Sequence, residues 1–207
     1  MCGRSVRATS DEATRPLPGD SLIAQPIGSF AHAISVRRRP RDVWPWLAQM
    51  GAGTRAGWYS YDLLDNGRRP SAQRMIPELQ HLVVGMIFPA LPGVTDGFSL
   101  LAFEPESFLV LGSLSSSGTV LTTWAFILEE EIGCGATRLI VRVRAAPGYR
   151  FQGLPWWLSK RVIVLVHLIM QRRQLLGIAE RAESMPEMKG RMVFGPAKEA
   201  EHPAAGM

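Results

Sequence analysis

DVWPWLAQMGAGTRAGWYSYDLLDN, residues 42–66, decides how this chain is read. Trp44, Leu47 and Met50 recur at i, i+3 and i+6, the one-faced apolar stripe of a helix. Pro40 starts that helix, and Asp42 stands in its first turn, where a carboxylate favours the dipole. The helix breaks on Gly51 and Gly53, and the chain passes into Trp58-Tyr59-Ser60-Tyr61-Asp62. Large rings and a carboxylate crowded just past a helix end predict the rim of a pocket.

Outward from this stretch, the alternation of Phe30 to Val36 predicts a first strand on its N-terminal side. On its C-terminal side a short second helix is expected over Tyr59–Asn66, closed by Gly67, and a further helical turn or two over residues 75–83. From Val84 the pattern changes to strands: Val84–Pro89, Phe98–Glu104, Phe108–Leu114, Val120–Glu130 and Arg138–Ala146. The separators Leu91-Pro92-Gly93, Glu104-Pro105-Glu106, Ser115-Ser116-Ser117-Gly118 and Gly133-Cys134-Gly135 are short turns that join antiparallel neighbours. A long helix follows, from near Leu154 to Ser184. Residues 1–20 read as a flexible arm, 21–184 as one domain, and 185–207 as a loose tail.

The 207 residues suffice for one domain with a sizeable core, and 46% apolar with 20% charged residues is a globular composition. Cys2 and Cys134 make neither a disulfide framework nor a metal cluster, which favours a reducing compartment. The first 25 residues hold Arg4, Arg7, Asp11, Glu12 and Arg15 with no apolar core, unlike a secretory signal. The net charge of +5 is a mild excess. Its densest run, Arg37-Arg38-Arg39-Pro40-Arg41, lacks aromatic interleaving and any nucleic-acid motif, and reads as the exposed end of the first strand and the turn into the Trp44 helix. A contact with anionic lipid or an acidic partner stays open.

On the long helix, Val164, Leu168, Leu175, Ile178, Ala179 and Ala182 form a sheet-facing stripe. Val162, Leu165, Val166, Ile169 and Met170 cover much of the other side. The apolar run Val162–Met170 falls far short of the roughly 20 residues a bilayer span needs, and Lys160-Arg161 and Arg172-Arg173 bracket it. Its second face calls for a cover: the N-terminal segment, a second subunit in a homodimer through the long helix, or a membrane surface.

Strand, two helices, strands and long helix is the helix-grip order, an α+β fold whose curved antiparallel sheet wraps the C-terminal helix. The residues also resemble a bacterial branch of the SRPBCC (START-like, polyketide cyclase/dehydrase-like) superfamily. The matching stretches include Val43-Trp44-Pro45-Trp46-Leu47-Ala48-Gln49-Met50-Gly51, Gly57-Trp58-Tyr59-Ser60-Tyr61-Asp62, Pro77-Glu78-Leu79-Gln80 and Trp124-Ala125-Phe126. They continue with Thr137-Arg138-Leu139, Arg142, and Leu175-Leu176-Gly177-Ile178 with Arg181-Ala182-Glu183. The resemblance runs from about residue 17 to 184. It implies a hydrophobic-ligand cavity, no obligatory cofactor and a cytoplasmic bacterial protein. It leaves the chemistry open, because fold does not fix function. The branch usually has an acidic residue after Val-Gly, where this chain has Met86; that departure favours a more apolar ligand.

The candidate ligand-binding residues are Trp58, Tyr59, Tyr61, Asp62, Trp124, Arg142, Arg144 and His167. Trp58, Tyr59, Tyr61 and Asp62 either line a pocket mouth or seal the helix pair against the sheet. Alternation puts Thr122, Trp124, Phe126 and Leu128 on one strand face, with Trp124 as cavity wall or core. Arg138, Arg142 and Arg144 share a face with Ile140, opposite Leu139, Val141 and Val143. That face is either solvent or the cavity, where a guanidinium would bind a carboxylate or stabilise an enolate. His167 is either structural or an acid/base group. No nucleophile–base pair, paired carboxylates, metal-spaced cluster or phosphate loop accompanies them, so no catalytic residue and no metal site is assigned. The leading expectation is binding of a hydrophobic small molecule, lipid-like or aromatic/polyketide-like, between the long helix and the sheet. A cyclase or dehydratase using Arg142 or His167 to polarise a carbonyl is the alternative. An interaction module using the second helix face is the third.

Overall fold

The computed structural model describes residues 5–94, 96–147, 149 and 156–185, with the backbone alone for 156–167. After helix α1 (Ser10–Thr14) and a 3-10 turn at Asp20–Ile23 come strand β1 (Gly28–Val36), helix α2 (Pro40–Ala48) and helix α3 (Asp62–Asp65). Strands β2 (Ile87–Pro89), β3 (Gly97–Glu104), β4 (Phe108–Leu114), β5 (Val120–Glu131) and β6 (Ala136–Ala145) follow, then the long helix α4 (Trp156–Ser184). The strands form one antiparallel sheet in the order β1-β6-β5-β4-β3-β2. Consecutive short turns make the β2–β6 meander, and β1 closes onto β6 with Ala33 opposite Ile140 and Val36 opposite Thr137. The sheet is curved and unclosed, with α4 across one face: the expected α+β helix-grip architecture.

Strand alternation assigns the two faces. The inner face carries Ile34, Val36, Leu109, Leu111, Phe126, Leu128, Leu139 and Val141, packed with Trp44, Trp46 and Leu47 of α2 and Leu175, Ile178, Ala179 and Ala182 of α4. Most of these side chains are fully buried, and their apolar area supplies the main driving force for folding. The stripe expected on α4 holds from Leu175 onward. Leu168 departs from it and is exposed, and the side chains of Val162, Val164, Leu165, Val166 and His167 lie outside the described residues.

Three elements are shorter than the sequence suggests, for local backbone reasons. Tyr59 is left-handed at φ 59°, so helix begins only at Asp62. Gly85 at φ 90° turns the chain, with Met86 N–H donating to Val83 O at 3.0 Å, and β2 starts after it. Residues 75–83 hold only the 3-10 turn Pro77–Leu79. The arginine run does sit at the end of β1. Arg38 donates to the carbonyls of Glu183 (2.9 Å) and Met185 (2.7 Å), placing a cation at the C-terminal end of α4 where the helix dipole favours it.

The N-terminal segment read as a flexible arm is a folded strap from Ser5 onward. Thr9 and Glu12 form a capping box: Glu12 N–H donates to Thr9 Oγ1 (3.1 Å) and Thr9 N–H to Glu12 Oε2 (2.6 Å). Leu17 packs on Ala33, Val110, Ala125, Ile127 and Ile140, a second core on the sheet's outer face. Gly19, at φ 88°, passes so close to Val110 that a Cβ there would stand 2.9 Å from a valine methyl. Glycine alone serves both the close approach and the left-handed turn.

Candidate functional site

The site is built on the inner face, where the loop after α2 meets β3, β5 and α4. Trp58, on that loop, stacks on Trp124 of β5 with ring centroids 5.2 Å apart and planes 23° off parallel. Phe98 of β3 meets both edge-on, at 5.8 Å from Trp58 and 5.3 Å from Trp124. Phe126 lies two residues along β5, 5.2 Å from Trp124. Offset-stacked and edge-to-face pairs are the favoured geometries of aromatic quadrupoles. Trp58 Nε1–H is satisfied by the carbonyl of Ala90 at 3.2 Å, which fixes the ring against the turn between β2 and β3.

A neutral polar chain enters this apolar wall from α4. Trp124 Nε1–H donates to Gln171 Oε1 (3.0 Å), Gln171 Nε2–H to Gln174 Oε1 (2.8 Å), and Gln174 Nε2 lies 3.8 Å from Met50 Sδ. Both glutamines are buried, so their amides keep hydrogen-bonding capacity in a low-dielectric interior. Sequence reasoning passed over them. The available signal was a pair of amides at i and i+3 on the inward side of an otherwise apolar helix.

The loop carrying Trp58 is held from behind. Ser71 donates through its hydroxyl to Asp62 Oδ1 and through its N–H to Asp62 Oδ2 (2.9 Å), and its Oγ accepts from Tyr59 N–H (3.2 Å). Asp62 is thereby a loop fastener. Tyr59 is buried, with the Arg181 guanidinium 4.7 Å above its ring and Trp46 edge-on at 5.9 Å. Burial pushes its phenol pKa up, and burial lowers that of Arg181. Gly177 of α4 faces the Tyr59 carbonyl so closely that no Cβ fits between them. Tyr61 stands 40% exposed ahead of α3. The pocket-rim stretch thus divides. Trp58 joins the aromatic cluster, Tyr59 and Asp62 anchor the loop, and Tyr61 faces outward.

Arg142 and Arg144 face neither the inner side of the sheet nor solvent. They lie on the outer face of β6, covered by the N-terminal strap. Arg142, only 3% exposed, donates to Asp20 Oδ2 (3.0 Å) and to the carbonyl of Glu12 (2.6 Å). Arg144 reaches the carbonyls of Asp20 (2.7 Å) and Ile23 (3.1 Å). Arg138 bonds Glu12 Oε1 at 2.6 Å, and Arg15 of the strap bonds Glu129 of β5 at 2.6 Å. The assignment of Arg142 and Arg144 as ligand contacts is therefore corrected. The alternation that puts Leu139, Val141 and Val143 on the inner face turns these arginines away from it. His167 belongs to α4, and its side chain lies outside the described residues.

Two further ionisable groups border the loop. Arg55 lies 4.2 Å over the Phe88 ring and donates to the carbonyls of Met50 (2.5 Å) and Ala48, closing the C-terminus of α2; burial lowers its pKa to about 10. Asp65 is buried at the end of α3, and burial with the nearby Asp62 charge raises its pKa to about 6. Among the described residues no group of three His, Cys, Asp or Glu is placed to hold a metal ion, and no helix is long and apolar enough to cross a membrane.

The sequence matches no family model and no curated protein. Solved structures align with it at low identity. Protein MLL2253 from Mesorhizobium loti is 12% identical, over 77% of this chain and 100% of its own, with a TM-score of 0.45. The Polyketide_cyc-like protein Cgl2372 from Corynebacterium glutamicum is 17% identical, over 75% and 91%, at 0.39. CalU16 from Micromonospora echinospora is 14% identical, over 75% and 83%, at 0.36.

Proposed function

We propose that the inner face of the sheet, beneath α4, binds a hydrophobic small molecule of lipid-like or aromatic, polyketide-like character. The supporting observation is the half-buried Trp124. Its ring is stacked on Trp58, and its indole N–H leads into the Gln171–Gln174 amides. Flat apolar walls with a few convergent neutral polar groups suit a ligand that is mostly hydrocarbon and carries a carbonyl or hydroxyl. The amides orient such a group without the desolvation that a charged partner would demand. The cyclase or dehydratase reading loses Arg142, which the sheet turns to the other face.

Native mass spectrometry of the protein purified from cells tests this, followed by identification of anything released on denaturation. A near-stoichiometric apolar passenger is the expected result, together with saturable quenching of tryptophan fluorescence by an added polycyclic aromatic ketone. Trp58→Leu is expected to weaken that quenching about ten-fold, the equivalent of one lost aromatic contact. An empty protein that quenches with no saturable probe overturns the reading.

A further inference from the structure

Helix α3 has its polarity inside out. Of its four residues, the two aspartates turn inward, Asp62 to Ser71 and Asp65 into the protein, while Leu63 and Leu64 are each 64% exposed. Ordinary folding buries the leucines and solvates the acids. The leucines do not stand alone. Gly67, just past α3, lies against the Pro92 ring in the turn between β2 and β3, and Gly53 borders the same proline. Leu91 and Val94, on either side of that turn's Pro92-Gly93, are 43% and 44% exposed. Arg68 and Arg69, both exposed, follow α3 within four residues, and Arg69 is tied at 3.4 Å to the carbonyl of Gly53, which borders Pro92.

We infer that this end of the molecule docks on an anionic lipid surface, the four apolar side chains entering the interface and Arg68 and Arg69 meeting the headgroups. The charge distribution selects this occupant. A two-fold pairing of two copies would set the same net-positive patch against itself, since exposed Asp96 of the turn offers one carboxylate against the two arginines of each chain. An anionic leaflet offers negative charge across the whole footprint, with an apolar layer directly beneath it. The Ala90 carbonyl that fixes Trp58 belongs to the same turn, so a docked protein holds its aromatic cluster beside the lipid. The docking surface stands whether or not the inner face holds a ligand.

Sedimentation of the full chain with vesicles of phosphatidylcholine mixed with phosphatidylserine, and with vesicles of phosphatidylcholine alone, tests the inference. Saturable binding to the mixture, weakened by salt and weak on phosphatidylcholine, is expected. The double variant Arg68→Glu, Arg69→Glu is expected to lower the affinity at least twenty-fold, from about five-fold per lost arginine near an anionic surface. Leu64→Asp is expected to lose binding while keeping its thermal midpoint and its tryptophan quenching by the aromatic ketone, which separates docking from ligand capture. Absence of binding to both vesicle types, or unchanged binding by Leu64→Asp, overturns it. So does a concentration-dependent dimer in analytical ultracentrifugation that Leu64→Asp abolishes and vesicles do not compete with.

Discussion

On the outer face of the sheet, three arginines of β6 meet the strap's Glu12 and Asp20 in charge-assisted hydrogen bonds of 2.6–3.0 Å. On the inner face of the neighbouring strand, the polar groups are uncharged: an indole N–H and two amides amid stacked rings. The outer arrangement gives register and attachment, because each guanidinium fixes the position of a specific carboxylate or carbonyl. Replacing or moving one partner there leaves a buried charge behind. The inner arrangement tolerates exchange of partners, because an amide can pair with a protein group or with a ligand group at small cost. One sheet thus presents a face suited to permanent closure and a face suited to occupation.

Arg142→Ala breaks the outer face most severely. It leaves Asp20 without its closest cation and the Glu12 carbonyl without a donor. A loss of about 3–5 kcal/mol in urea unfolding is expected, the cost typical of orphaning a buried ion-pair partner. Cleavage within residues 5–24 under limited proteolysis should rise in parallel. A loss below about 1 kcal/mol would mean that the strap is held by Leu17 and its apolar contacts instead.

Acid tests the same clamp at intermediate size. The hydrogen bond from Arg138 holds the Glu12 carboxyl at about 2, below its usual 4.5, against the opposing effect of burial. Its contribution is therefore present above pH 4.5 and lost as pH falls toward 2, up to about 3 kcal/mol at neutral pH. Asp65 works with the opposite sign. Its raised pKa means a penalty that is present above about pH 6 and disappears by about pH 4. Stability curves of Glu12→Gln should accordingly lose slope below pH 4.5, and those of Asp65→Asn between pH 4 and 6. Parallel pH profiles for wild type and both variants would remove these two groups as the source.

The smallest effect belongs to the inner face. A double-mutant cycle of Trp124→Phe and Gln171→Leu should give a coupling energy of about 1 kcal/mol, one neutral hydrogen bond. In the presence of a bound aromatic ketone the coupling should change, because the indole N–H and the amide become available to the ligand. Coupling that is identical with and without the ligand would assign the pair to structure alone.

Several features were legible before any coordinates. Strand alternation placed Trp124 with Phe126 and Leu128, and put Arg142 and Arg144 opposite Leu139 and Val141, because side-chain period follows directly from backbone geometry. The strap is hard to read from sequence, although Thr9 and Glu12 spell a capping box, because the residues after it show no apolar period. Ile140, between arginines on a face read as solvent or cavity, was the other sign that something covers it. The polarity of α3 was illegible, since two leucines and two aspartates give no indication of which pair the surrounding loop will turn inward.

By itself the sequence determined the order of elements from β1 onward, the two faces of each strand and, through that order, the helix-grip class, because the strand and helix periods depend on interactions within a few residues along the chain. The tertiary structure alone decided what lies on those faces. It set Trp58 against Trp124, 66 positions apart in the chain, and Arg142 against Asp20, 122 positions apart. Contacts of that separation depend on how the sheet curves and which segment reaches its surface first, and no local pattern encodes either.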